Sequence, residues 1–248
     1  MKTVADDLDA SVKEAISACD FDVVSRTYWE QGEAIVLKDF FPASLMQQFL
    51  HDVDQVRPMV NRGYVPGHKK AGAVSFHALL KSAPAIIALY RSPALLDFLT
   101  RLVKVPLTLC PQEDLHSCAL YVYTEEGDHI GWHYDTSYYK GDRYTVLVGL
   151  IERSERCRLI AQLHKDDPQR ETQELTIDMN PGSMVIFNSD KLWHAVSPLE
   201  KGGERIMLTL QFVTNQEMTP IQRIFSNLKD AFVYFGAGAL LRRKPVRA

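Results

Sequence analysis

The spacing of apolar positions divides the chain into a helical front and a strand-rich back. Val4–Ala18 sets acids among Val, Leu and Ile at three- and four-residue intervals, which predicts an amphipathic helix. Ala34–Leu37, AIVL, is a short β-like run. Pro42–Val56 reads PASLMQQFLHDVDQV, with Leu45, Phe49 and Val53 recurring every fourth position behind a proline that a first helical turn tolerates. Arg62–Gly72, RGYVPGHKKAG, is expected to be a loop from its Gly and Pro content. Val74–Tyr90 and Pro93–Val105 predict two more helices. The second opens on Ser92-Pro93, an N-cap followed by proline at the first helical position.

From Leu115 the period changes. Cys118–Tyr123, Tyr144–Ile151, Arg158–Leu163, Glu174–Ile177, Met184–Phe187 and Ile206–Val213 all read as short strands, separated by Gly, Asp, Asn and Pro. No helical pattern lies between them, which argues against βαβ winding and for an antiparallel sandwich, barrel or jelly roll. Helical pattern returns from Pro220 to about Tyr234, ahead of the apolar and then basic tail FVYFGAGALLRRKPVR. The expected plan is a single α+β domain over 1–248. Residues 1–110 give mainly helical support, 111–214 a β-core, and 215–248 a closing helix and basic tail. The helical front is not expected to stand alone, because the β-core needs helices over one face.

Composition narrows the class. Hydrophobic residues at 46% and charged residues at 24% are globular values, not those of disordered or fibrous chains. The 28 Lys+Arg against 31 Asp+Glu leave a net charge of −3, so no nucleic-acid partner is expected. Cys19, Cys110, Cys118 and Cys157 contain no C-x-x-C and are expected to be reduced, buried thiols. The N-terminal MKTVADDLDA turns acidic without an apolar stretch, which argues against a signal peptide and for a cytoplasmic location. The basic tail is expected to pack against the barrel; docking on an anionic membrane surface is the alternative. A monomer or homodimer is expected.

The chemistry gathers in two segments. Residues 127–137 read GDHIGWHYDTS, where His133 and Asp135 stand at i and i+2, on one face if a strand ends there. Residues 190–198, DKLWHAVSP, place His194 on a β-like stretch, and Arg205 opens the last strand. Two imidazoles and one carboxylate with the remaining positions open is the facial triad of non-haem Fe(II) oxygenases. A second H-x-D, His164-Lys165-Asp166, lies in the charged, Pro-containing HKDDPQR and reads as solvated surface. The interval from His133 to His194 has room for about four strands, while His164 to His194 leaves room for one hairpin.

The order His133-Tyr-Asp135, His194, Arg205 resembles the Fe(II)- and 2-oxoglutarate-dependent oxygenases. So do the Gly-Asp before the first histidine and the PGSMVIFN segment before the second. LYRSPALLDFLTRLV at 89–103 resembles a narrower branch, the hydroxylases and halogenases of free amino acids. The resemblance implies a double-stranded β-helix, a distorted cupin-like jelly roll with flanking helices. It implies Fe(II) on His133, Asp135 and His194, and 2-oxoglutarate anchored by Arg205, with O2 as the other co-substrate. Where relatives place a serine two positions after the arginine, this chain has Met207, and Thr209 is placed to substitute. Tyr121 or Tyr123 is a further candidate for the oxo acid, with core packing the other role for either. Halogenating members replace the carboxylate by Gly or Ala; with Asp135 present, the resemblance implies a hydroxylase. The implied reaction hydroxylates an unactivated C–H bond of a small molecule, most simply an amino acid or amino-acid-derived metabolite, and releases succinate and CO2. Arg62, Lys69 and Lys70 are candidates for an anionic substrate group, with Tyr138 and Tyr139 at the pocket rim. Trp132 and Trp193 are expected to pack behind the ligands, and Asn188 or Asp190 to orient His194. The alternatives are a lipid-like or carrier-bound substrate, a catalytically silent 2-oxoglutarate binder, or a zinc hydrolase.

Overall fold

The computed structural model describes residues 4–218. The helix predicted at 220–234 and the basic tail lie outside the described residues. The front half carries α1 (Val4–Ser17), α2 (Phe21–Glu30), β1 (Ala34–Leu37), α3 (Ala43–Val56), β2 (Asn61–Val65), β3 (Lys69–Val74), α4 (Phe76–Ser82), α5 (Pro84–Tyr90) and α6 (Pro93–Val103). The back half carries β4 (Thr108–Leu109), β5 (Cys118–Tyr123), β6 (His129–His133), β7 (Arg143–Arg153), β8 (Leu159–Leu163), β9 (Gln173–Ile177), β10 (Met184–Asn188), β11 (Trp193–Val196) and β12 (Glu204–Val213).

Three differences from the expected elements have local causes. The helix expected over 74–90 is two, because Pro84 lacks an N–H and disfavours helical backbone at Ala83, which sits at φ −133° and ψ 66°. Buried Asp52 of α3 caps the new start by accepting from the Ile86 N–H at 2.9 Å. Helix α2, which the expected elements did not separate, starts on Asp20, which accepts from the Asp22 and Val23 N–H groups, and sets Phe21, Val24 and Tyr28 on one face. The expected loop at 62–72 is the β2–β3 hairpin, turned at Gly67 with φ +71°. Its partners lie far along the chain: β3 pairs with both β5 and β6, so tertiary pairing overrides the Gly-rich composition. Glycine serves β3 at Gly72, where a Cβ would meet Val60 at 2.6 Å and the Val122 carbonyl at 3.1 Å.

All strand pairs are antiparallel, in the order β1-β10-β7-β12-β5-β3-β6-β11-β8-β9, with β2 on β3 and β4 on β12. The sheet curls into a nearly closed jelly-roll barrel. Its two faces bury different residues. Val146, Val148, Leu208 and Leu210 face outward onto Leu45, Phe49, Leu95 and Phe98 of the helices, in one apolar cluster. Each fully buried leucine there contributes about 1.5–3 kcal/mol. Tyr123, Ile130, Leu159, Phe187 and Met207 face inward and form a second cluster.

One irregularity sets what the inner face contains. Between β7 and β12 the register runs Arg205–Glu152, Ile206–Ile151, then Met207–Gly149, leaving Leu150 as an extra residue. The bulge switches the phase of β7. Val148, Leu150 and Ile151 stay on the helix-facing side, and Glu152 turns to Arg205. A Cβ at Gly149 would collide with the Met179 carbonyl, so the turn that passes over the bulge requires glycine.

Candidate metal centre

Strands β6 and β11 deliver the two histidines. His133 is the last residue of β6 and His194 its direct partner on β11, so both side chains leave one face, with ring centroids 4.3 Å apart. The strand ends at His133, and Asp135 folds back until its Oδ1 is 3.3 Å from His133 Nε2. One ligand atom from each of His133, Asp135 and His194 lies within 4.8 Å of the others, the one such cluster among the described residues.

The backbone fixes the tautomer of both rings. His133 Nδ1 lies 2.8 Å from the Gly131 carbonyl and His194 Nδ1 lies 2.9 Å from the Leu192 carbonyl, each two residues back. A ring N–H donating there leaves the Nε2 lone pair for a metal. Asn188 and Asp190, expected beside His194, have other work. Asn188 donates to Glu33 at 2.8 Å, and Asp190 accepts from the Ser137 N–H at 3.1 Å.

Electrostatics set the charges. Burial, with His133 adjacent and only partly offset by Asp135, pushes His194 down to about 4, so it is neutral at pH 7. Burial alone raises the Asp135 carboxyl; the His133 hydrogen bond, the imidazoles and the Thr145 hydroxyl outweigh it and hold the group well below the usual carboxylate range. Two imidazoles and one carboxylate are a donor set that fits Fe(II).

A small cavity of about 50 Å³, partly open to solvent, lies over this cluster. On β12 the alternate positions Arg205, Met207, Thr209 and Gln211 line it. Arg205 is fully buried; its guanidinium donates to Glu152 at 2.7 Å and to the Cys157 carbonyl at 2.8 Å, while its Nε has no partner. Thr209 Oγ1 and Gln211 Oε1 are also buried without partners. Tyr121 and Tyr123 line the same cavity. The Arg205 guanidinium and the Thr209 hydroxyl fit an acceptor such as an oxo acid, while Gln211 Oε1 fits a donor. Sequence reasoning passed over Gln211 and Thr145, although Gln211 continues the alternation that begins at Arg205.

The substrate candidates disperse. Arg62 makes a two-pronged ion pair with buried Asp128 and touches Glu125, and Lys70 lies beside the same acids. Lys69 is fully buried, 5.0 Å from the Tyr121 ring centroid; its register partner Ile130 lines the cavity. Tyr139 is buried and donates to Asp114 at 2.6 Å; Tyr138 is half-buried. None of these five belongs to the cavity lining. Trp132 and Trp193 stack at 6.3 Å, and Lys165 of the second H-x-D sits 3.5 Å over the Trp193 ring. In that motif His164 occupies a turn at φ +58°, and Asp166 accepts from Tyr134.

The model of one family, Halogenase D, matches residues 22–226, most of the chain. The chain belongs to the Halogenase D family. No curated protein sequence matches it. Among solved structures it is similar to SnoN, the non-heme alpha ketoglutarate dependent epimerase from nogalamycin biosynthesis, at 12% identity and TM-score 0.63 over 77% of this chain and 81% of SnoN. SnoN is also known in complex with Fe3+, alpha ketoglutarate and nogalamycin RO. It is similar to a Trichoplax adhaerens prolyl hydroxylase, solved with a hypoxia inducible factor peptide, at 17% identity and TM-score 0.62 over 83% and 92%. A Burkholderia pseudomallei oxidoreductase of the 2OG-Fe(II) oxygenase family matches at 13% identity and TM-score 0.61 over 82% and 95%. At these identities the likeness is one of fold, the jelly roll of 2-oxoglutarate oxygenases. Among the described residues no helix is long and apolar enough to cross a membrane.

Proposed function

We propose that this protein is an Fe(II)- and 2-oxoglutarate-dependent hydroxylase of a small polar molecule, most simply an amino acid or a derivative of one. The observation that carries the reading is the Asp135 carboxylate, ionised, partly buried and aimed at the same point as the Nε2 atoms of His133 and His194. A halogenating site keeps that position vacant for a halide. Here a carboxylate fills it, within a family named for halogenation.

Each residue then has a task. His133, Asp135 and His194 would hold the iron, and Arg205 would pair with the distal carboxylate of 2-oxoglutarate, assisted by Thr209 and by Tyr121 or Tyr123. Bound iron with 2-oxoglutarate and O2 supplies the oxidising power that breaks a C–H bond, leaving succinate and CO2. Glu152 and the Cys157 carbonyl hold the guanidinium in place before the oxo acid arrives. Inward Leu147, Leu159, Val196 and Met207 keep the cavity wall apolar and limit water. Gln211 presents an unsatisfied carbonyl oxygen toward the cavity, suited to an ammonium or hydroxyl on the substrate.

The test is an amino-acid panel with Fe(II), 2-oxoglutarate, O2 and chloride, read by succinate release and product mass. The expected result is substrate-dependent succinate and a product carrying one added oxygen, both reduced at least 100-fold in Asp135→Ala. A chlorinated product from the wild-type protein overturns the hydroxylase reading. Full turnover by Asp135→Ala overturns the site.

A further inference from the structure

The two oxygens of Asp135 have different neighbours. Oδ1 faces His133 Nε2 at 3.3 Å, on the side where the ligand atoms converge. Oδ2 is 3.1 Å from the Thr145 hydroxyl, and Thr145 Oγ1 in turn is 2.8 Å from Ser189 Oγ. Thr145 and Ser189 are both fully buried. We propose that Thr145, seated on Ser189, is a positioning residue that fixes Asp135 as a one-oxygen ligand. This inference rests on the metal-centre reading above.

Proton arithmetic gives the chain a direction. An ionised carboxylate only accepts, so Thr145 Oγ–H must donate to Asp135, and the same oxygen is then left to accept from Ser189 Oγ–H. The order Ser189 to Thr145 to Asp135 is the one arrangement that satisfies all three groups. Each bond in such a run polarises the next inside a low-dielectric interior.

The scaffold holds both hydroxyls rigidly. Thr145 is on the inner face of β7, register partner of Phe187 and Gln211, and its β-branch restricts χ1. Ser189 follows β10 directly, and its N–H donates to the Arg143 carbonyl at 2.9 Å, tying that corner back to the start of β7. With Oδ2 engaged, the carboxylate presents one lone-pair set to a metal. If both oxygens bound, Asp135 would take a further coordination position, one that a chelating oxo acid and O2 need.

The test uses the full chain without oxygen and without 2-oxoglutarate. Mn(II) binding is followed calorimetrically for wild type, Thr145→Val, Thr145→Ser and Asp135→Ala, and for Asp135→Ala combined with Thr145→Val. Loss of the hydroxyl in Thr145→Val is expected to weaken Mn(II) about tenfold or more, the usual scale for a partner of a metal ligand. Thr145→Ser retains the donor and is expected to restore binding to within about threefold of wild type. In the Asp135→Ala background, Thr145→Val is expected to change nothing further. Equal weakening by Val and Ser, or continued weakening without Asp135, assigns the effect to packing and overturns the proposal. Wild-type affinity in Thr145→Val overturns it while leaving the metal centre standing. Absence of Mn(II) binding by the wild type removes the metal centre and this inference together.

Discussion

Asp114 shows how a single buried carboxylate organises the margin of the site. It accepts from Tyr139 at 2.6 Å and pairs with Arg143 at 3.1 Å, all three being buried. Burial alone raises its pKa, but the Arg143 guanidinium, His116 and the Tyr139 hydroxyl outweigh burial and lower it. A carboxyl with a folded pKa below its unfolded value stabilises the fold above the unfolded pKa of about 3.9. That contribution is lost as pH falls through the folded value. Asp114→Asn leaves Arg143 buried without its counter-charge and is expected to cost about 3–5 kcal/mol at pH 7. Urea unfolding from pH 7 to pH 3 checks both parts: wild type loses stability below about pH 4, and the variant shows a flatter profile there. Neither Asp114 nor Arg143 was legible in the sequence, since a loop acid and a strand-start arginine resemble surface residues. The candidate triad was legible because H-x-D, a distant histidine and a following arginine keep an order along the chain, although β12, which carries Arg205, is separated from β6 by β5 and β3.

At the scale of elements, local signals served the helices better than the strands that cross the barrel. Ser92 illustrates a signal that reads true: its hydroxyl accepts from the Leu95 N–H at 3.1 Å and opens α6. The cap is also a tertiary joint, because Asp9 of α1 accepts from Ser92 Oγ at 2.6 Å and from the Ala94 N–H at 3.0 Å. Ser92→Ala is expected to destabilise by about 1–2 kcal/mol, a fall in Tm of about 2–8 °C for a chain of this size. Calorimetry of Ser92→Ala, Asp9→Ala and the double variant is expected to show costs that do not add, because the two residues share one hydrogen bond. The β2–β3 hairpin was illegible for the opposite reason. Its Gly and Pro are ordinary turn residues, and what makes β3 a strand is pairing with β5 and β6, more than 45 residues further along. Helix α2 carried a legible signal that was passed over, Phe21, Val24 and Tyr28 at three- and four-residue spacing behind the Asp20 cap.

For the whole molecule, the metal centre and the closing of the barrel are coupled. His133 and His194 sit on β6 and β11, which join the β8–β9 arm to the rest of the sheet through β3. A cation bound between them stabilises the arm only when it is folded. Mn(II) at about 100 times its Kd is expected to add about 2.7 kcal/mol, raising Tm by about 5–10 °C. A differential scanning measurement should find that rise in the wild type and none in His194→Ala. The inward face of β12 was readable from strand alternation through Thr209, whereas on β7 the alternation is interrupted. Leu150 is the reason, an extra residue taken up on the helix-facing side. The strand β7 behaves as if it had a reading frame: upstream of Leu150 the odd positions Thr145 and Leu147 look inward, and downstream the even position Glu152 does. Any residue of similar size fits at Leu150 without disturbing that frame, and losing the position altogether removes the bulge while leaving Gly149 opposite Met207, Ile151 opposite Ile206 and Glu152 opposite Arg205 in plain alternation. A graft of this strand between relatives therefore keeps the Arg205–Glu152 pair with either one or two residues between Gly149 and Glu152, provided the second is taken up as a bulge on the helix-facing side.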